Sequence, residues 1–407
     1  MADVPMQQAG DASYAPGYDP APTNSRAVIV DSIRSAGTVS RVELTQITGL
    51  TAPSVTTLVR RLIDDGLVDE AGRGSSTGGK PRTLLRIRAA ARYVVGVHLS
   101  PDSLTYVLVD YAGGVLARWR RAGPGDESDP EQVVERIAAE TTELIERAGV
   151  DPGLILGLGF VCPGPLIRNL GVTSAPPSMA SWVGFPIHQR LEERLGLPAL
   201  LENDATAAAA GTRLTTSHDV SVMAGLFMSE GIGSGLRLNG HVYQGAHGNA
   251  GEVGHICVQI GGPRCWCGST GCLEAIAGPA TVVAKARAAG LDLGSQRRTG
   301  VAAFAAIARL ALTGDSRAEA ILKDSASWLA LGAQAITNMY DVQLLVLTGP
   351  AFAVAGTIYL PIIQDRIMSS AFGRAVNTEV VLDERGHDAA AIGAALMMLR
   401  SERAISA

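Results

Sequence analysis

His255, Cys265, Cys267 and Cys272 fall within eighteen positions, the last three in the run Cys-Trp-Cys-Gly-Ser-Thr-Gly-Cys. One imidazole and three thiolates satisfy tetrahedral zinc, and the glycines allow a tight loop to fold around the ion. Four protein ligands leave no open coordination position, so the zinc implied here is structural and its expected effect is to order the loop leading to Glu274. Cys257 lies two residues beyond His255, on the same face of an extended strand, and stays open as a rival ligand.

A second chemistry is written near the N-terminus. Ser54, Thr56, Thr57 and Arg60 share the polar face of one predicted helix, and a Gly/Ser-rich loop carrying Arg73, Lys80 and Arg82 follows. Hydroxyls and a guanidinium can touch base edges and phosphates, while loop cations hold the nucleic-acid backbone. The plainer alternative is a solvated face, or a module that contacts protein. Residues 25–92 carry 11 Lys/Arg against 6 Asp/Glu, and residues 93–407 carry 23 against 30. Only the first segment suits a polyanion.

The elements that must position these groups are legible in part. Residues 1–24 have no apolar periodicity and read as a disordered arm. Val28, Ile29 and Ile33 mark one helix, and Ser40-Arg-Val-Glu43 is a capping box opening a second. Thr51 caps a third, whose buried face is Val55, Leu58, Val59 and Leu62. Strands Leu67–Glu70 and Thr83–Ile87 flank the basic loop as a wing. Tyr93–Leu99, Leu104–Asp110 and Val115–Arg118 read as an antiparallel meander turning at Gly113-Gly114. A helix over 131–147, an apolar strand over 154–161, a helix over 187–195 and a buried strand Leu344–Leu347 among Ala/Leu-rich helices complete an α/β pattern. No short internal repeat is present.

The 407 residues are 47% hydrophobic and 18% charged, enough for two or three ordinary domains. No apolar run approaches the ~20 residues of a membrane span, so no membrane insertion is expected. The start, with Asp3, Pro5 and Asp11, lacks a basic-then-apolar export signal, and five cysteines are too few for a disulfide scaffold. A cytoplasmic protein is the expectation.

Four further motifs stand in order: Pro163-Gly164-Pro165, Glu202-Asn203-Asp204-Ala205, Gly251-Glu252-Val253-Gly254-His255 and Cys265-x-Cys-Gly-x-x-Gly-Cys-Leu-Glu274. With these, the chain from about Ser25 to Leu399 resembles the ROK family of repressors, uncharacterised frames and sugar kinases. Its N-terminal part is similar to that of the repressor branch. The resemblance implies a winged helix-turn-helix over 25–90 and a two-lobed actin/hexokinase-like domain over 91–407. The implied lobes cover about 91–204 and 205–385, with a C-terminal helix returning to the first. It also implies that Asn203, Asp204, Glu252, His255 and Glu274 hydrogen-bond a sugar, with His255 serving zinc through its other nitrogen. A helix N-cap is the alternative role for Asp204.

In the kinases Asp204 matches the base that activates the attacking hydroxyl. Their phosphate loops, Asp-x-Gly-Gly-Thr, Gly-Thr-Gly and Gly-Gly-Gly, correspond here to His98-Leu99-Ser100-Pro101-Asp102, Ser229-Glu230-Gly231 and Thr348-Gly349-Pro350. Proline removes a backbone donor and carboxylates repel phosphate, so no catalytic residue is expected. The resulting expectation is a sugar-responsive repressor of carbohydrate genes, acting on operator DNA as a homodimer or homotetramer. An active sugar kinase and a sensor with a protein partner are the rivals.

Overall fold

The computed structural model describes residues 24–74, 82–125, 129–167, 171–212, 220–294 and 300–401. The expected arm, up to residue 23, and Lys80 lie outside the described residues.

The N-terminal part opens with α1 (Ser25–Ala36). Asn24 belongs to this helix rather than to the arm, because its side chain accepts from the Arg26 N–H. Ile29, Val30 and Ile33 form the buried stripe, which leaves Val28 half-buried at its edge. Next come β1 (Val39–Ser40) and α2 (Arg41–Thr48). The Ser40/Glu43 capping box forms in both directions, at 3.3 and 2.7 Å. Gly49, at φ 68°, turns the chain into α3 (Ala52–Asp64), capped by Thr51. Val55, Val59 and Leu62 are fully buried, while Leu58 is only partly covered. The hairpin β2 (Val68–Arg73) and β3 (Thr83–Ile87) joins β1 in a three-stranded sheet of order β1-β3-β2. β2 runs on to Arg73, past the expected end at Glu70, across a shift in register.

The first lobe begins with the meander β4 (Tyr93–Leu99), β5 (Ser103–Asp110) and β6 (Val115–Ala122). Crossover through α4 (Pro130–Arg147) brings β7 (Ile155–Cys162) parallel to β4. A small hairpin, β8 (Leu166–Ile167) and β9 (Gly171–Val172), then α5 (Ile187–Leu195), precede β10 (Ala199–Asn203), parallel to β7. The sheet order is β10-β7-β4-β5-β6.

From β10 the chain passes straight into α6 (Asp204–Gly211) and the second lobe. Here β11 (Val222–Met228), β12 (Ile232–Leu238) and β13 (His241–Tyr243) form another meander. The helices α7 (Leu273–Ala277), α8 (Pro279–Ala288), α9 (Gly300–Leu312) and α10 (Ser316–Tyr340) lead to β14 (Leu344–Thr348), parallel to β11. After α11 (Pro350–Ser369) and α12 (Ala371–Val376), β15 (Glu379–Leu382) adds in parallel. The order β15-β14-β11-β12-β13 repeats that of the first lobe strand for strand.

α13 (Ala389–Arg400) returns and packs against β4, β7 and α6, so α6 and α13 form the joint between the sheets. Small residues permit this closeness. A Cβ on Gly393 would lie 1.7 Å from the Ala207 carbonyl oxygen, and one on Gly211 would lie 2.0 Å from that of Ala389. The buried side of α1 to α3 continues without a break into Val94, Val107 and Ala395, so the N-terminal core, the first lobe and α13 form one apolar cluster. Among the described residues no helix is long and apolar enough to cross a membrane.

Candidate ligand cleft and metal centre

A cavity of about 510 Å³ opens between the lobes, and Asn203, Asp204, Glu252, His255 and Glu274 all line it. The first two stand at the β10–α6 junction of one lobe, and the other three come from the second. Asn203, not Asp204, is the N-cap of α6, its Oδ1 accepting from the Thr206 N–H at 3.0 Å. Asp204 occupies the first helical turn, its Oδ1 accepting from the Ala205 N–H at 2.8 Å. This corrects the alternative role considered for it. Gly164 must be small here, since a Cβ would stand 2.8 Å from Asn203 Nδ2 and 3.6 Å from Glu252 Oε1. Behind this pair, buried Glu202 accepts from Gln244 Nε2, and Asn249 both accepts from and donates to the Leu166 backbone, clasping one lobe to the other.

Burial pushes the Glu252 carboxyl up to about 7, reinforced by the neighbouring Asp204 and Glu274. Near neutral pH such a group can donate as well as accept. Its carboxyl has no hydrogen-bond partner among the described residues. Glu274 is held firmly: Trp266 Nε1 donates to Oε1 at 2.6 Å and the Ile232 N–H donates to Oε2 at 2.8 Å.

One residue of the cleft's surroundings escapes sequence reasoning. His98, 2% exposed at the end of β4, places Nε2 3.5 Å from Asp204 Oδ2 and stacks edge-on to Phe227. The signal available was a lone polar side chain in an otherwise apolar strand. In the segment between β9 and α5, Pro177 lines the cavity but Trp182 does not: it is 1% exposed in the core of the first lobe.

The ligand atoms of His255, Cys265, Cys267 and Cys272 lie within 4.8 Å of one another. Cys267 Sγ and Cys272 Sγ are 3.7 Å apart, and Cys265 Sγ is 3.6 Å from His255 Nδ1. A tetrahedral Zn²⁺ with bonds of about 2.3 Å to sulfur and 2.0 Å to nitrogen separates its ligands by about 3.5–3.8 Å, so this donor set fits the ion. Cys257 is exposed and stays outside the group. With Nδ1 turned to the thiols, His255 keeps Nε2 for the cleft, and its ring meets Trp266 edge-on at 5.0 Å. The loop that would hold the metal is therefore the loop that fixes Glu274.

The stretches that carry Asp102 and Glu230 also have a defined geometry. Glu230 Oε1 accepts from the Val301 N–H at 3.2 Å, and Asp102 Oδ2 from the Ala302 N–H at 3.5 Å. Carboxylates of both lobes thus sit together on the first turn of α9, where anions are favoured.

At the far end, Ser54, Thr56, Thr57 and Arg60 are exposed on α3. Two of the hydroxyls have local partners: Thr56 Oγ1 donates to the Ala52 carbonyl, and Ser54 Oγ pairs with Thr51 Oγ1 at 2.9 Å. Arg73 and Arg82, both exposed, stand where the two strands of the hairpin leave the sheet.

Known proteins share this organisation. The xylose repressor of Bacillus spizizenii is 25% identical over 373 residues, covering 91% of this chain and 93% of its own length. The solved structure of a ROK family transcriptional regulator, a homolog of the E. coli MLC protein, superposes with a TM-score of 0.70 at 24% identity. It covers 94% of this chain and 98% of that one. A ROK hexokinase from Thermus thermophilus matches at 28% identity and a TM-score of 0.58, but its match spans 97% of its own chain and only 75% of this one. The pattern of the ROK family itself extends over residues 94–401, from the first strand of the first lobe through the helix that joins both lobes, and the chain belongs to that family.

Proposed function

We propose that this chain is a sugar-responsive transcriptional repressor of carbohydrate uptake or catabolism genes. The observation that carries the reading is the pairing of an interlobe cleft lined by Asn203, Asp204, Glu252, His255 and Glu274 with an N-terminal helical module that the regulator and repressor matches cover. In this reading residues 25–90 are a winged helix-turn-helix. α3 enters the major groove with Ser54, Thr56, Thr57 and Arg60, while Arg73, Lys80 and Arg82 hold the phosphates. A palindromic operator calls for two such modules, hence a homodimer or homotetramer acting in the cytoplasm.

The remainder, residues 91–407, is the sensor. Asn203 and Asp204 offer an amide and a carboxylate from one lobe, and Glu252, His255 and Glu274 answer from the other. A sugar bridging them favours the closed arrangement by its differential affinity for the two states. Closure turns on the α6–α13 joint, and α13 shares its core with α1 to α3. A zinc ion on His255, Cys265, Cys267 and Cys272 would supply a rigid clamp rather than chemistry. Asp102 and Glu230 put negative charge beside the first turn of α9, which supports sensing without phosphoryl transfer.

The test is fluorescence anisotropy of the full chain on DNA from its own upstream region, at defined salt, with a panel of sugars. Salt-sensitive binding weakened by one sugar is expected. Normal sugar release by Glu252→Ala would defeat the mechanism. ATP consumption with that sugar, abolished by Asp204→Asn, would establish the kinase instead.

A further inference from the structure

A second cavity, of about 250 Å³, lies away from the sugar cleft where the N-terminal module meets both lobes, and four arginines line it. We propose that this cavity is a binding site for a phosphate group, either inorganic phosphate or a phosphomonoester.

The four guanidinium groups arrive from distant parts of the chain. Arg34 comes from α1, Arg237 from β12, Arg385 from the turn after β15, and Arg400 from the end of α13. Two of them share Asp31, whose Oδ1 is 3.0 Å from Arg400 Nε and 3.6 Å from Arg34 Nη1. Among the described residues, Arg237 finds only the Thr212 carbonyl, at 3.4 Å, and Met223 Sδ, at 3.9 Å. Among the described residues, the Arg385 side chain has no carboxylate partner.

Arg34 gives the second, independent sign. Its side chain is 8% exposed, its Nε donates to the Tyr111 carbonyl, and its ring-facing guanidinium sits 5.1 Å from the Tyr111 centroid. Yet Nη2, fully buried, has no partner among the described residues. A buried guanidinium N–H left unsatisfied is costly, and like charges gathered in a small cavity repel. Burial lowers Arg34, and burial together with Arg400 brings Arg237 down to about 10, which registers the same crowding. A tetrahedral dianion answers both deficits, because its oxygens accept from several guanidinium forks at once. So placed, it would tie α1 to the second lobe.

The site can be tested whether or not the chain binds DNA. Isothermal titration and thermal shift on the full chain would use inorganic phosphate, glucose 6-phosphate, glucose, and potassium chloride at matched ionic strength. Saturable binding and stabilisation by a phosphate compound, beyond the chloride control, are expected. Arg237→Met and Arg385→Gln should each weaken that binding at least tenfold. The Arg385 side chain is partly exposed and makes no ion pair among the described residues, so its variant keeps the test open if Arg237→Met misfolds. Phosphate binding as tightly as the ester would identify the inorganic ion. Tighter ester binding, insensitive to Glu252→Ala, would identify a phosphomonoester seated here. No saturable binding, or binding unchanged in Arg385→Gln, would overturn the proposal. So would ester binding lost only in Glu252→Ala, which would put the phosphate in the sugar cleft.

Discussion

Replacing Glu252 by Gln should remove a loss of stability that grows with pH. The carboxyl rises from an ordinary 4.5 to about 7, chiefly through burial and secondarily through Asp204 and Glu274. At 1.36 kcal/mol per pH unit this corresponds to ~3 kcal/mol. The folded chain keeps a proton that the unfolded chain releases near pH 4.5, so stability falls as pH climbs between 4.5 and 7. Below that window the carboxyl contributes no penalty, and above it the penalty is complete. Glutamine removes the titration while keeping the shape. Thermal unfolding of both proteins from pH 4.5 to 8 should therefore give a gap in Tm that grows by several degrees in favour of Glu252→Gln. Any metal in the neighbouring loop affects both chains alike and cancels in the difference. A gap that stays constant across this range would refute the reasoning and mean that the cleft leaves Glu252 ionised at little cost.

Other outcomes follow from the same geometry. Cys267→Ser, or a strong chelator, should remove about one zinc per chain by elemental analysis and weaken sugar binding by roughly 10–100-fold, since Trp266 in that loop holds Glu274; full metal retention would contradict the assigned ligands. Arg60→Ala should cost about 1–3 kcal/mol of operator affinity and relax sequence preference. Arg73→Ala should lower the salt slope of binding by about 1 while leaving preference intact, and a reversed pattern would exchange their roles. Gly393→Ala sets a methyl against the Ala207 carbonyl at the α6–α13 joint, and should destabilise the chain by at least ~1–3 kcal/mol in denaturant unfolding.

How much was legible depended on the length of chain over which each signal operates. The capping box spans Ser40 to Glu43, and the clustered His and Cys side chains span His255 to Cys272, so residue type and spacing revealed both groupings. The helix Ile187–Leu195 and the strand Tyr93–Leu99 were likewise readable from period alone. Finer choices inside an element were less secure. Val28 and Val30 are equally apolar, and only the neighbours of α1 decided which one faces inward. Asn203 and Asp204 both suit a helix start, and the β10–α6 turn made Asn203 the cap.

What the sequence by itself determined, then, was local: helices, strands, caps and a loop that gathers one His and three Cys, each set by contacts a few residues to a few turns apart. Tertiary structure alone decided the rest. The two lobes share one strand order without any repeat visible in the residues, because a sheet's topology constrains only the alternation of apolar positions and not their identities. His98 joined Asp204 across 106 positions of chain, and Arg34 met Arg400 across 366, because strand pairing and helix packing bring distant segments together. No spacing rule along the chain encodes such meetings; they arise when apolar faces are buried and the charged groups at their edges are carried into common cavities.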